Sequence, residues 1–189
     1  MKFKTIKIPK NPNKNLKFLR FVDDFCEKNK KIIKIVDQKY VLTSIGRAAG
    51  YCDGNEVKVC YNDEKYAPTL CHEFCHLVQS VEEPALWKIG IGVWGKKINS
   101  FDDIFKLIAM EWDCERKSVS LGNKFNLFDE KEYSREANAY LMSYQYYFLT
   151  GKWKMPAHEM LKYMDEEIVS LSSLRKIDMD LIRLFDYKF

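Results

Sequence analysis

Residues 72–76 of this 189-residue chain read His-Glu-Phe-Cys-His. Histidines four positions apart share one face of a helix about one turn apart, so both imidazoles can reach a single ion. On the same helix Glu73 is rotated about 100° from His72. That puts a carboxylate beside the ion, able to take a proton from a water there. The residue types and their spacing point to a bound divalent metal, zinc above all, and to hydrolytic chemistry. The plainer reading is a pair of surface histidines. It has to explain why two of the chain's three histidines fall in this one pattern.

The elements around the motif must position it. Pro68 suits a first helical residue, and the spacing predicts a helix from there to about Ser80. Leu70, Phe74, Leu77 and Val81 form its apolar stripe. His72 and His76 fall roughly opposite that stripe, with Glu73 on one flank and Cys71 and Cys75 on the other. A helix packed by that stripe alone turns its histidines to a cleft or to solvent. A catalytic zinc usually takes three protein ligands and keeps one open position. The remaining histidine, His158, lies far along the chain, so the third donor is expected to be a carboxylate or a thiolate.

A second helix is expected from Ser100, which pairs with Asp103 as a capping box, to about Leu121, just before Gly122. In it Ile104, Ile108, Glu111 and Glu115 follow at spacings of four, three and four. Two acidic residues thus continue an apolar stripe, either as a boundary turning polar or as carboxylates facing a site. A third helix runs from the cap Asp129, with Glu132, to about Thr150, and Gly151 can end it. Its repeat of Tyr140, Tyr144 and Phe148 with Ala137 and Leu141 reads as core. One of these tyrosines, or His158, is available to donate to an oxyanion.

The stretch Ala-Pro-Thr-Leu-Cys-His-Glu-Phe-Cys-His-Leu-Val-Gln, residues 67–79, resembles the active-site helix of gluzincins. Their third ligand is a glutamate on a later helix, typically followed four residues on by an acid that orients a ligand histidine. Glu111-Trp-Asp-Cys-Glu115 is similar to that pattern. The resemblance implies Glu111 as a ligand and Glu115 as the residue orienting an imidazole. The family more often has Asp at the second position, so Glu115 also stands as an alternate ligand. Residues 134–140, Ser-Arg-Glu-Ala-Asn-Ala-Tyr, are similar to the Glu-Ala-Asn stretch that carries the third ligand in compact regulatory metallopeptidases of bacteria and their mobile elements. That implies Glu136 instead, at a longer gap from His76 than is usual there.

The combined pattern also resembles small zincin-like proteins encoded by bacteriophages, and the likeness covers about residues 50–150. It implies an α+β, zincin-like fold of the minigluzincin type. A small mixed N-terminal sheet (residues 1–65) would join a mainly helical part (66–189) in a single domain. It implies a zinc metalloendopeptidase with one catalytic Zn2+ and Glu73 as general base, acting on protein or peptide substrates. The strand at residues 57–61, from Val57 to Tyr61, is expected to be an exposed or edge strand that pairs with an extended substrate. The competing expectation is a zinc-binding regulatory or interaction protein on the same scaffold without proteolysis.

The composition is compatible with either expectation. Hydrophobic residues make up 47%, with 12 Phe, 11 Tyr and 4 Trp, enough for a buried core and too many for a disordered chain. The formal net charge is +4. Its basic excess lies at Lys2, Lys4, Lys7, Lys10, Lys14 and Lys17. This reads as a solvated rim rather than a nucleic-acid site, and no nucleic acid is expected as a partner. Residues 1–15 lack the apolar run of a signal peptide, and no run approaches the ~18 apolar residues that span a bilayer. The expectation is a cytoplasmic protein, off the membrane, with reduced thiols. The spacings among Cys52, Cys60, Cys71 and Cys75 are not the short knuckles of a structural zinc site, so these cysteines read as packing residues. Strands are further expected at 2–8, 32–36 and 40–45, a helix at 15–29, a turn at Asp53-Gly54, and helices near 157–171 and 174–185.

Overall fold

The computed structural model describes residues 16–43, 46–61, 66–93 and 98–186. The strand expected at residues 2–8 lies outside them. The architecture is mixed α+β, with a small sheet and a predominance of helix. It gathers into two compact units, Met1–Pro84 with Ser120–Phe128, and Ala85–Val119 with Asp129–Phe189. The motif helix therefore belongs with the strands. No helix of the described residues is long and apolar enough to cross a membrane.

In the first unit, α1 (Leu16–Asn29) buries Phe18, Leu19, Val22 and Cys26 on one face. It leads into β1 (Ile32–Val36), a hairpin of β2 (Val41–Thr43) and β3 (Gly46–Ala48), and then β4 (Gly50–Cys52) and β5 (Glu56–Cys60). The expected turn joins β4 to β5, where Asp53 Oδ1 accepts the amides of Asn55 and Glu56 at 2.8 Å. Local hydrogen bonding of this kind is why Asp favours turns. The sheet order is β1-β5-β4, with β1 parallel and β4 antiparallel to β5.

β5 is thus the central strand, not the edge strand that its alternating sequence suggested. Alternation reports that one face is buried. It carries no information on which edges are paired. Both edges of β5 are occupied, and the Tyr61 amide bonds to Val36 O at 2.9 Å. The strand 57–61 therefore has no edge to offer a substrate.

The helix α2 (Tyr66–Glu82) packs on β4 and β5. It begins two residues before Pro68. Ser80 Oγ donates to Gly54 O at 2.9 Å and ties its last turn to the β4–β5 turn. The rings of Phe18, Phe21 and Phe25 stand edge-on to Phe74 at 6.2, 5.8 and 5.2 Å. The apolar stripe of α1 is thereby spent on a residue inside the His-Glu-Phe-Cys-His motif.

The helix α4 (Phe101–Phe125) begins at the expected capping pair, where Ser100 Oγ accepts the Asp103 amide at 3.2 Å. It does not stop at Gly122. Asn126, in the left-handed region at φ 51, ends it. The Leu127 amide reaches back to Gly122 O at 3.0 Å, the hydrogen bond of a Schellman cap. Gly122 serves packing instead: a Cβ there would lie 2.1 Å from Phe128 Cζ. Phe125 completes the first unit's aromatic cluster, 5.4 Å from Phe18 and 5.2 Å from Phe21.

The second unit holds α3 (Pro84–Ile91, from Ala85), α4 up to Val119, α5 (Glu130–Thr150), a 3-10 turn (His158–Tyr163), α6 (Leu171–Leu174) and α7 (Met179–Leu184). α5 is bounded as expected. Asp129 accepts the Glu132 amide at 2.9 Å, and Gly151, at φ 69, takes the left-handed conformation that a side chain would strain. One cluster packs Ile104, Leu107, Ile108 and Met110 with Leu141, Tyr144 and Leu174. Another sets Met142 and Tyr146 against Met160, Ile182 and Phe185.

The two late helices are much shorter than expected: Asp178 accepts the amides of Asp180 and Leu181 and starts α7 only at Met179, and over residues 164–170 Asn138 supplies the reason. Its amide donates to Asp165 O and Glu167 O at 3.1 and 2.8 Å, and its oxygen accepts the Val169 amide at 3.0 Å. A buried side chain on α5 thus supplies the hydrogen bonds that a helix over these residues would have made for itself.

Candidate metal centre

α2 brings His72 and His76 together as their spacing predicts. The imidazole centroids are 4.7 Å apart, with the ring planes at 88°. Two imidazoles bound at about 2.0–2.1 Å to one tetrahedral zinc place their centroids about 5 Å apart, so the observed pair fits a shared ion. The helix is not packed by one stripe alone. Cys71, Cys75, His76 and Gln79 are buried along with Leu70, Phe74 and Leu77, while His72 and Glu73 are half-buried. Of the two histidines, expected to face a cleft or solvent, His76 is buried and His72 half-buried.

Glu73 lies against β4. A Cβ on Gly50 would sit 2.7 Å from Glu73 Cγ and 3.0 Å from its Oε1. The glycine's missing side chain is the space that the glutamate stem occupies. Burial raises the Tyr51 phenol, and the Glu73 charge adds to the shift. Burial also pushes the Cys52 thiol up to about 12, against a smaller opposing pull from His76. At neutral pH Cys52 therefore stays a thiol. All six cysteines are buried and none is joined in a disulfide.

His76 has a partner that the sequence reading passed over. Its Nδ1 lies 2.9 Å from Oε1 of Gln79, and Gln79 is fully buried. The available signal was a polar residue three positions after the second histidine of the motif, placed where a helix directs both side chains to one side.

In the second unit Glu111 and Glu115 are 2% and 4% exposed, so both face inward. Each is met by a tyrosine of α5. Tyr144 Oη donates to Glu111 Oε1 at 3.0 Å, and Tyr133 Oη donates to Glu115 Oε2 at 2.5 Å. Tyr140 Oη lies 2.7 Å from Tyr144 Oη. Because the Tyr144 proton is directed to Glu111, Tyr140 is the donor of that pair. Burial and the adjoining carboxylates push the Tyr133 and Tyr144 phenols well above their ordinary value, so both remain donors. A buried carboxylate is costly unless hydrogen-bonded, and these tyrosines supply part of that requirement. The tyrosine repeat is core, as expected, but its hydroxyls also serve the two glutamates. Tyr144 in particular is committed to Glu111 rather than to an oxyanion.

The other candidates of this unit lie as follows. Cys114 is buried on the same face of α4 as Glu111 and Glu115. Glu136 is half-buried and shares its side of α5 with Tyr133 and Tyr140, and His158 is exposed in the 3-10 turn. No family model matches the chain, and no curated protein or solved structure matches it.

Proposed function

We propose that this protein is a zinc-dependent metallopeptidase of the zincin type, with His72 and His76 as metal ligands and Glu73 as general base. The observation that carries the reading is the edge-to-face imidazole pair, 4.7 Å between centroids, beside a glutamate whose stem fits the space at Gly50. The donor types suit zinc: two imidazoles, with carboxylates and a thiol as candidates for the third place. Glu111 is the proposed third ligand, with Glu115 as its alternate and Glu136 and Cys114 as the remaining donors. A carboxylate that ligates through one oxygen while the other accepts a hydrogen bond is the arrangement that supports a metal, and the Tyr144 contact to Glu111 is compatible with it.

When bound, the zinc ion supplies a Lewis acid that polarises a carbonyl and makes water a better nucleophile. The chain's residues do the rest. His72 and His76 bind as neutral imidazoles. Glu73 takes a proton from the attacking water onto its carboxylate and passes it to the leaving amine nitrogen. The contact between Glu73 and β4, together with the phenylalanine cluster on Phe74, holds that carboxylate in one place. The scissile bond is a peptide bond in this reading, and the resemblance to gluzincins is what selects it.

The test is a purified sample incubated with a peptide library, with and without a chelator. Chelator-sensitive cleavage is expected, and Glu73→Gln is expected to keep its zinc while losing at least about 100-fold in rate. A fully active Glu73→Gln removes the general-base role. Metal-dependent peptide binding without cleavage selects the non-proteolytic zinc scaffold instead. Elemental analysis of Glu111→Ala, Glu115→Ala, Glu136→Ala and Cys114→Ala beside wild type identifies the third ligand.

A further inference from the structure

We infer that Gln79 is a positioning residue for the metal centre: its amide oxygen holds His76 as the Nδ1–H tautomer, so that Nε2 presents its lone pair to the ion. The inference deepens the reading above and rests on it. An amide oxygen can only accept a hydrogen bond. At 2.9 Å from His76 Nδ1, it requires the proton to sit on Nδ1. A neutral imidazole carries one ring proton, so Nε2 is left as a bare nitrogen able to ligate.

The contact is buried at both ends, where water does not compete for either group. It also spans three residues of one helix, a separation at which α2 directs both side chains to one side. The resemblance to gluzincins assigns the orienting task to an acid on a later helix, and Glu115 was the expected residue. Glu115 Oε2 accepts the Tyr133 hydroxyl, and the Gln79 contact to His76 is a further one, made from within α2. Partners of this kind tune metal affinity by about 10–100-fold.

The reverse orientation of the amide makes the opposite statement. If the Gln79 NH2 faced the ring, it would donate to Nδ1. The proton would then sit on Nε2, and the nitrogen proposed to ligate would be blocked. The two arrangements are distinguishable by long-range 1H–15N NMR of the imidazole nitrogens in metal-depleted full-length protein. Nδ1–H is expected for His76 in wild type, and observation of Nε2–H overturns the inference.

Zinc affinity is then measured by competition with a chromophoric chelator. Gln79→Leu is expected to bind zinc about 10–100-fold more weakly and to shift the His76 tautomer toward Nε2–H. Gln79→Glu keeps an acceptor and is expected to retain both the wild-type tautomer and the wild-type affinity. A folded Gln79→Leu with unchanged tautomer and affinity overturns the inference. So does a folded Gln79→Glu that loses the Nδ1–H form, which keeps the test open if Gln79→Leu fails to fold. Because the tautomer is read without metal, a wild type with Nδ1–H that binds no zinc sinks the metallopeptidase reading instead, and is recognisable as that failure.

Discussion

α2 and α4 each carry two chemically active side chains one helical turn apart, and they are held in place by different means. The imidazoles of α2 meet across one turn of their own helix: the pair is spaced by four residues, and Gln79, a partner of His76, is three residues further on. The carboxylates of α4 depend on a separate helix, with Glu115 meeting a tyrosine 18 residues away and Glu111 one 33 residues away. The same spacing on two helices thus produces one locally organised pair and one that exists only once α5 is docked.

The largest effect should come from the local pair. His72→Ala is expected to abolish zinc retention while leaving the unfolding transition of the metal-depleted protein little changed, as checked by elemental analysis beside urea denaturation. Unfolding of the variant would show that His72 serves packing, and the contrast with α4 would collapse.

Next come the tyrosines. Tyr144→Phe and Tyr133→Phe each remove a donor from a buried carboxylate, and each should lower the unfolding free energy by about 1–3 kcal/mol in urea titrations. Only Tyr144→Phe is expected to lower zinc affinity as well, because Glu111 is the proposed ligand. The reverse pattern would transfer that role to Glu115.

A comparable or smaller loss is expected for Gly122→Ala. Helix propensity alone favours alanine by up to about 1 kcal/mol, but a Cβ lying 2.1 Å from Phe128 Cζ forces repacking at about 1–3 kcal/mol. A stabilised variant in thermal denaturation would mean that Gly122 has no packing role.

The last effect concerns pH and is absent under neutral conditions. Burial, with a further contribution from Asp23, pushes the Cys26 thiol from 9.0 up to about 12. A folded-state value above the unfolded one means that the native state holds the proton more tightly. Its contribution to stability is complete below pH 9 and is lost as pH rises from 9 toward about 12. Cys26→Ala should therefore run parallel to wild type in urea midpoint below pH 9 and fall less steeply above it. Equal slopes in both ranges would remove Cys26 from the account.

What could be read in advance follows the same division. The capping pair Ser100 with Asp103, the cap Asp129 with Glu132 and the stop at Gly151 were all legible, because each is settled by residues within a few positions. Gly122 was misread as a stop because its neighbour Phe128 arrives only after the chain has turned at Asn126. The residues from 164 to 170 were misread as helix because their hydrogen-bond partner, Asn138, sits on α5. The strand β5 was misplaced at an edge because its pairing with β1 and β4 leaves no mark on its own alternation.

The sequence by itself determined which potential donors α2 carries: two imidazoles and a carboxylate within five residues, on a helix whose periodicity brings the imidazoles together. It determined the ends of α5 because each depends on contacts within a turn or two, and the α+β class because helix and strand leave different periodicities in the chain. Only the tertiary structure decided that Gly50 makes room for Glu73, that tyrosines hold Glu111 and Glu115, and that β5 lies between two neighbours. Those arrangements join residues far apart in the chain, and a one-dimensional pattern carries no record of which distant side chain will meet another.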